Sequence, residues 1–163
     1  MAIVALALVA FLILYPPLAN SSVRVALSPS SRLAVEHLYV TIEQISAHRA
    51  DTREPDGWFL VSNQSSLIDL AAVNSTQTAG LGLISLGQYD VIRVRIANAT
   101  AFVNNTSKRV ELPSSVFSVP VSFTVGLGMQ AVVMLEVVSH LEAKQEPLTL
   151  DLAFTAVGEK AVP

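Results

Sequence analysis

Three groups of residues in this sequence have the types and spacing from which chemistry is commonly built. The first is Gly126-Leu-Gly128-Met-Gln-Ala131, which fits the Gly-x-Gly-x-x-Ala pattern of dinucleotide-binding loops. That pattern binds a pyrophosphate only where a helix follows, because the N–H groups at the start of the helix hold the phosphates. Here the segment AVVMLEVV follows at 131–138, and its β-branched residues favour a strand. We therefore interpret this stretch as a hairpin turn.

Histidines and carboxylates form the second group. No two histidines have the spacing of metal ligands, and no Gly-x-Ser-x-Gly nucleophile motif is present. The three histidines, which we expect to be exposed in loops or at strand ends, are His37, His48 and His140. Asp51, Glu54 and Asp56 crowd one loop and offer oxygen ligands to calcium, but without the spacing of an EF-hand. We interpret that loop as a solvated turn, and we predict no enzyme, no metal and no cofactor.

Asparagines form the third group. Every asparagine is followed two residues later by Ser or Thr, without an intervening Pro, which is the acceptor pattern for N-linked glycans. They are Asn20, Asn63, Asn74, Asn98, Asn104 and Asn105. Turn chemistry explains why such triplets lie in loops, but it does not explain why no asparagine lies outside the pattern. We predict an exported glycoprotein carrying N-linked glycans, in which adjacent Asn104 and Asn105 are not modified together.

The composition narrows the classes of function further. The chain has 163 residues, enough for one domain with a sizeable core. Its net charge is −3 and it has no basic run, which argues against a nucleic-acid partner. Cysteine is absent, so disulfides, thiolate nucleophiles and cysteine-based zinc sites are excluded. We interpret the single tryptophan, Trp58, as a core residue and not as a platform for sugar stacking.

The N-terminal segment 1–15, MAIVALALVAFLILY, contains no charged side chain. As a helix extended to residue 19 it would span roughly 28 Å, close to the hydrocarbon thickness of a membrane. It fits a signal peptide, a membrane anchor or a helix that packs against copies of itself, although a basic n-region is missing. We predict an apolar helix over residues 1–19, for anchoring or assembly, and a glycosylated β-domain over residues 20–163. The assembly residues are Ile3, Leu6, Val9, Phe11, Leu12 and Leu14.

Beyond residue 20, apolar and polar residues alternate, which is typical of strands with one buried face. Strands are predicted at 23–27, 39–48, 58–62, 67–70, 92–96, 101–103, 109–112, 117–125, 129–138 and 148–156. A change of phase predicts a bulge at Glu43-Gln44, and Pro120 predicts an edge strand. The strand at 131–138 is apolar in both phases and therefore central and covered on both faces. Residues 71–83 are ambiguous and compatible with a short helix. We predict an all-β fold, an immunoglobulin-like or transthyretin-like β-sandwich preceded by the short apolar helix.

Several segments also resemble a known family. VRVALS, YVTIEQISAHR, GWFLVS, LIDLAAV and SLGQYDVIRVRI follow one another as in a family of secreted prokaryotic β-sandwich proteins with a domain of unknown function. Its most recognisable parts here are Gly57-Trp58 and the Gly-x-Tyr-x-x-Ile-Arg segment formed by Gly87, Tyr89, Ile92 and Arg93. The resemblance covers residues 23–157 approximately, and it implies an extracellular sandwich without an agreed activity. Many members are lipoproteins, but this chain lacks the lipobox cysteine.

The N-terminal architecture is similar to that of archaeal type IV pilins. A charge-free apolar segment is followed by a β-rich, cysteine-free domain with many glycan acceptors. The resemblance implies a subunit that is held in the membrane before assembly and then enters a filament core. Pro16-Pro17 departs from it, because this pair would stop or kink the helix early.

These observations together predict a structural, adhesive subunit of an archaeal pilus-like filament at the cell surface. It would polymerise with copies of itself, either through its apolar helix or by adding a strand such as 23–27 to a neighbouring sheet. The alternative is a membrane-anchored or secreted module that binds carbohydrate or a surface-layer protein. A hydrolase on the same scaffold lacks a recognisable site.

Overall fold

The computed structural model describes residues 21–142 and 146–162, which form ten β-strands. They are β1 (Ser22–Pro29), β2 (His37–Arg49), β3 (Trp58–Ser62), β4 (Ser66–Asp69), β5 (Gln77–Leu83), β6 (Gly87–Val103), β7 (Thr106–Glu111), β8 (Val116–Val125), β9 (Gln130–Glu142) and β10 (Leu148–Val162). The described ranges contain no α-helix, and hence no helix of the length and hydrophobicity that crossing a membrane requires. The all-β prediction is confirmed for this part of the chain.

The predicted N-terminal helix, residues 1–19, lies outside the described residues. The same is true of Asn20 and of the assembly residues, which are Ile3, Leu6, Val9, Phe11, Leu12 and Leu14. These assignments stay predictions.

All ten strands belong to one hydrogen-bonded sheet. Its main path is β3-β2-β6-β7-β10-β9-β1-β5, with β4 paired to β2 and β8 paired to β6. Most pairs are antiparallel, whereas β1–β9 and β7–β10 are parallel. The ends of the path, β3 and β5, contact each other, so the sheet is nearly closed. The arrangement therefore differs from two separate sandwich sheets, since one continuous sheet encloses the core.

The inner face of this sheet forms the hydrophobic core because apolar residues occupy alternate positions. In β9, Ala131, Val133, Leu135 and Val137 are buried, and the residues between them are partly exposed. The strand lies between β1 and β10, which confirms its predicted central position. Its second face is only partly covered, so the prediction of full burial on both faces was wrong.

Tyr89, near the start of β6, is one of the largest fully buried side chains. Its hydroxyl donates to the carbonyl oxygen of Ser85 at 2.7 Å, across the connection that leads into β6. This bond has the form of the tyrosine corner found in immunoglobulin-like sandwiches. Burial raises the pKa of the Tyr89 hydroxyl above its ordinary value of 10.0. Burial therefore favours the neutral hydroxyl, which is the form that donates this hydrogen bond.

The predicted bulge in β2 is confirmed. Ile42 is opposite Ile96 and Gln44 is opposite Arg95, so Glu43 is an extra residue in β2. Beyond the bulge, the inward positions change from even-numbered to odd-numbered residues. The bulge therefore keeps apolar residues on the inner face along the whole strand.

The predicted edge position of Pro120 is also confirmed, because β8 is paired with β6 alone among the described strands.

Residues 126–129 form the predicted turn, in which the Met129 N–H donates to the Gly126 carbonyl at 3.3 Å. It is not a hairpin, since β8 and β9 are not neighbours in the sheet. The reason is that β1 and β10 already occupy both edges of β9. Similarly, the segments predicted at 92–96 and 101–103 are parts of one long strand, β6.

The ambiguous region 71–83 contains β5, so the short-helix alternative was wrong. Its Gly82 passes so close to β3 that an added Cβ would overlap the carbonyl oxygen of Val61. A Cβ on Gly80 would lie 2.8 Å from Cδ1 of Ile45. Glycine weakens a strand signal in the sequence, yet here it allows the two ends of the sheet to meet.

We predict that Gly82→Ala destabilises the domain, because the new methyl group overlaps backbone and not the movable end of a side chain. The free energy of unfolding should fall by about 1–3 kcal/mol, as for other overpacked sites. Gly158→Ala in β10 is the matched control, since an added Cβ there meets nothing within 4 Å. Urea unfolding of the two variants measures the difference. Equal midpoints would show that β5 and β3 are not closely packed.

Candidate functional site

The five predicted glycan acceptors among the described residues are all exposed. They are Asn63, Asn74, Asn98, Asn104 and Asn105. Asn74, Asn104 and Asn105 have φ values of 63°, 51° and 58°, the left-handed region that asparagine tolerates better than most residues. The backbone conformation at these three positions therefore also favours asparagine, independently of glycosylation. Exposure leaves all five side chains accessible to modification.

The acceptors are not spread evenly over the domain. The Asn74 N–H donates to the carbonyl of Pro29, at the end of β1. The N–H of Asn105 donates to Glu36, just before the start of β2. Asn104 adjoins it in the β6–β7 turn, so three of the five described acceptors share one end of the domain. Asn63 and Asn98 lie nearer the middle.

The chain enters the domain at the opposite end, at Ser21. The Ser21 hydroxyl donates to the carbonyl of Gly126 at 2.9 Å, and Ile84 N–H donates to the Ser21 carbonyl at 3.3 Å. Large apolar side chains surround this point. They are Leu83, Leu86, Leu127 and Met129, with exposed fractions of 71%, 46%, 67% and 40%. We call these four residues the apolar rim.

A second feature lies on the outer face of β2 and β6. Gln44 is opposite Arg95, and Ser46 is opposite Arg93, so their side chains alternate with the core residues and point outward. Together with Trp58 at the start of β3, they line a cleft of about 210 Å³. We call these five residues the outer cleft. The sequence did not predict this cleft, because Arg93 and Arg95 looked like ordinary outward-facing polar residues of an alternating strand.

Trp58 and Glu54 hold Arg93 in position within the outer cleft. The guanidinium carbon of Arg93 lies 3.6 Å from the centre of the Trp58 ring, a close cation–π contact. Trp58 Nε1–H donates to Glu54 Oε2 at 3.1 Å, and Arg93 Nη2 lies 3.5 Å from Glu54 Oε1. Arg93 Nε–H also donates to the Ser118 hydroxyl at 3.5 Å. Arg93 is therefore oriented by a stacked ring and by weak polar contacts.

Trp58 also contacts a buried histidine. The rings of His48 and Trp58 are 5.0 Å apart. His48 Nδ1–H donates to Asp90 Oδ1 at 2.8 Å, and the His48 side chain is only 7% exposed. Asp90 is at a register shift in β6, where an extra residue changes the direction of its side chain. A continuous set of contacts thus runs from Asp90 through His48 and Trp58 to Arg93.

Gly57 and the loop before it complete the support of Trp58. Gly57 has φ 82°, and an added Cβ there would overlap the Thr52 side chain. Its carbonyl accepts a hydrogen bond from Arg49 N–H at 2.9 Å, which closes the loop. The structure thereby brings together the two most recognisable segments of the sequence. Gly57-Trp58 packs directly on Arg93, although the two segments are far apart in the chain.

Three interpretations of single residues need correction. Trp58 is partly exposed and lines a cleft, so it is not a core residue, because Arg93 and not apolar side chains covers its ring. His48 is buried and is not an exposed histidine, since the loop and Trp58 cover it. Glu54 contacts Trp58 and Arg93 instead of being a purely solvated loop residue. In the ranges 21–142 and 146–162, no three His, Asp or Glu side chains form a group that could hold a metal ion.

Comparison with known proteins identifies the family. Residues 20–150 match the model of DUF4382, a domain of unknown function, and the chain belongs to this family. The resemblance to a family of unknown function is thereby confirmed, whereas the likeness to pilins and the export of the chain stay predictions. No curated protein and no solved structure matches the chain.

We predict that Asp90→Ala weakens the support of the outer cleft, because it removes the carboxylate that accepts the hydrogen bond of a buried histidine. The free energy of unfolding should fall by about 1–3 kcal/mol. Fluorescence of Trp58, the chain's only tryptophan, should shift to longer wavelength as its environment loosens. Asp151→Ala, at an exposed position in β10, is the control and should change neither property. Identical behaviour of the two variants would contradict a supporting role of Asp90.

Proposed function

We propose that this member of the DUF4382 family is a structural subunit of an extracellular, pilus-like filament at the cell surface. The subunit would polymerise with copies of itself through its hydrophobic N-terminal helix and display its glycosylated β-domain outward. The opposite character of the two ends of the domain carries the proposal. One end has the apolar rim around Ser21, and the other has Asn74, Asn104 and Asn105.

The apolar rim supports the assembly part of the proposal. The charge-free segment 1–15 is separated from Ser21 by five residues in the sequence, and Ser21 lies at the end of the domain that carries the four exposed apolar side chains of the rim. Burying a leucine or methionine side chain contributes about 1.5–3 kcal/mol. The apolar segments of neighbouring copies supply a surface of matching chemistry. Packed together, they would remove both the rim and the segments from water.

The positions of the acceptors support the display part of the proposal. Glycans at Asn74 and at the Asn104–Asn105 turn would project from the end remote from Ser21, where they would not interfere with contacts at the rim. Although the strands of the domain form one nearly closed sheet, two halves of that sheet would face each other as in an immunoglobulin-like or transthyretin-like sandwich, with the tyrosine corner of Tyr89 as a local marker. The proposal includes a membrane-held state before assembly and assigns no catalytic role, no nucleic-acid partner and no cofactor other than N-linked glycans.

A second candidate function is a membrane-anchored or secreted module that binds carbohydrate or a surface-layer protein. One specific observation favours it, namely the outer cleft with its two arginines, amide and hydroxyl. The two functions are compatible, because the cleft lies on the side of the sheet and not at the rim.

The first prediction from this proposal concerns the rim. The double variant Leu83→Gln and Leu127→Gln should polymerise at least about tenfold less readily, because burial of two large apolar side chains is lost. The matched control is Leu60→Gln with Leu67→Gln, which changes leucines that are 49% and 62% exposed but lie away from the rim. Sedimentation and electron microscopy of material sheared from cells measure filament yield, and mass spectrometry identifies the chain.

The outcomes separate the two candidate functions. Deletion of residues 1–19 should abolish filaments and leave a soluble, folded domain. Filaments that form equally well from the rim variant and its control would contradict a role of the rim. If the unaltered chain forms no filaments and stays in the membrane fraction, the structural-subunit proposal fails and the binding module is left.

The second prediction concerns the glycans. Peptide mass spectrometry of the native protein should find N-linked glycans at Asn63, Asn74 and Asn98, and at only one of Asn104 and Asn105, because adjacent glycans would collide. Changing Thr76 to Ala should remove the glycan from Asn74 alone, whereas Thr76→Ser should retain it, since Ser and Thr both complete the acceptor pattern. Unmodified asparagines at all these positions would contradict the glycoprotein assignment.

A further inference from the structure

We propose that the outer cleft is a binding site for one acidic sugar unit, a monosaccharide that carries a carboxylate or a sulfate group. Arg93 and Arg95 would hold the oxyanion, and Gln44 and Ser46 would contact the sugar hydroxyls. This inference does not depend on filament assembly, because the cleft lies on the outer face of the β2–β6 pair, away from the apolar rim.

The arrangement of the two arginines points to an oxyanion. They lie two residues apart on one strand, so both side chains project from the same face of the sheet. Each guanidinium carries five N–H donors in a planar fork that matches carboxylate and sulfate oxygens. Trp58 stacks on Arg93 and limits its rotamers, so less side-chain entropy is lost on binding.

The carboxylates beside these arginines form only weak ion pairs with them, so N–H donors are left for a ligand. Among the described residues, the nearest carboxylate oxygens are 3.5 Å from Arg93, in Glu54, and 3.7 Å from Arg95, in Glu43. Charge-assisted hydrogen bonds are shorter, about 2.7–2.9 Å. The two ion pairs are also solvent-exposed, and exposed pairs of this kind are weak. A ligand oxyanion in direct contact would therefore compete well for the remaining donors.

The contacts of Trp58 disfavour the usual recognition of neutral sugars. Neutral sugars commonly stack on an open aromatic face, but Arg93 covers one face of Trp58 and the His48 ring packs against it at 5.0 Å. The ring face that Arg93 covers is consequently not available for stacking by a neutral sugar. Recognition at this site has to rely on charge and hydrogen bonds, which favours an acidic sugar.

The size and edges of the cleft favour a sugar over a peptide. Its volume of about 210 Å³ is below the range of about 300–1,000 Å³ typical of sites for drug-sized ligands, so it accepts one small unit. At the cleft, β2 is bonded to β6 and β3, and β6 is bonded to β2 and β8. Among the described residues, β2 and β6, which carry the four polar side chains of the cleft, therefore have no free edge there for a peptide backbone to pair with. The amide of Gln44 and the hydroxyl of Ser46 provide donors and acceptors of the kind that sugar hydroxyls need.

The test is a titration of the full chain in detergent micelles, with the fluorescence of Trp58 as the signal. Because Trp58 is the only tryptophan, a ligand beside Arg93 changes the emission of the site itself. Glucuronate and glucose 6-sulfate are the two acidic probes, glucose is their neutral counterpart, and N-acetylglutamate amide presents the same carboxylate without a sugar. We expect saturable binding of at least one acidic sugar and no response to glucose. The acidic probe that binds more tightly identifies whether the site prefers a carboxylate or a sulfate.

Variants separate specific binding from general charge effects. Arg93→Gln and Arg95→Gln should each weaken binding roughly tenfold, the typical loss for a charge-assisted contact. Arg95→Gln leaves the Trp58–Arg93 stack in place, so it tests the site even if Arg93→Gln unfolds the protein. Arg24→Gln on β1, where Arg24 donates to the Thr78 hydroxyl, is the matched control and should stay within about twofold of the unaltered protein.

Four outcomes would overturn the proposal, and three of them concern the sugars and the cleft variants. They are no saturable response to either acidic sugar, equal binding of glucose and glucuronate, and full retention of binding in both cleft variants. Equal binding of N-acetylglutamate amide would show that a side-chain carboxylate suffices, which overturns the sugar assignment and indicates an acidic protein partner. Filament yield is measured on the same variants, and unchanged filaments with lost sugar binding separate this inference from the proposed assembly.

Discussion

The closure of the sheet is the constraint on which the rest of the structure depends. Each strand carries one apolar face, and an open sheet of ten such strands would leave much of that face in water. Closure requires β5 to approach β3 so closely that residue 82 must be glycine, because a Cβ there would overlap the carbonyl oxygen of Val61. With the ends in contact, the inner face becomes a continuous core and the outer face is left free for polar residues.

Local irregularities of the strands determine what the outer face can do. The bulge at Glu43 brings Gln44 and Ser46 outward while Ile45 and Ala47 stay in the core. The register shift at Asp90 directs its carboxylate to His48, which supports Trp58. Both irregularities lie beside the outer cleft, in keeping with the tendency of bulges to redirect side chains at functional sites. The cleft is thus a consequence of how β2 and β6 fit together, and not of any single motif.

The two ends of the domain also differ in chemical character. Strand pairing brings the start of β1, the end of β5 and the turn at Gly126 to one end, and this end carries the apolar rim. The connection between β4 and β5 and the turn between β6 and β7 lie at the other end, with exposed asparagines. The order of the strands thus brings Ser21, the first described residue, to the end that carries the apolar rim.

The sequence by itself determined the all-β class, nine of the ten strands at least in part, the bulge at Glu43 and the edge position of Pro120. These features follow from period-two alternation and from proline's missing N–H, which act over a few neighbouring residues. The sequence also shows that every asparagine lies in an Asn-x-Ser/Thr pattern. It did not reveal β5, because two glycines mask the strand signal and their role appears only where β5 meets β3. Nor did it reveal the outer cleft, since Trp58 and Arg93 are distant in the chain and meet only through the pairing of β3, β2 and β6. Tertiary structure decided these features, because contacts between remote strands depend on register and closure and leave no periodic signal in the local sequence.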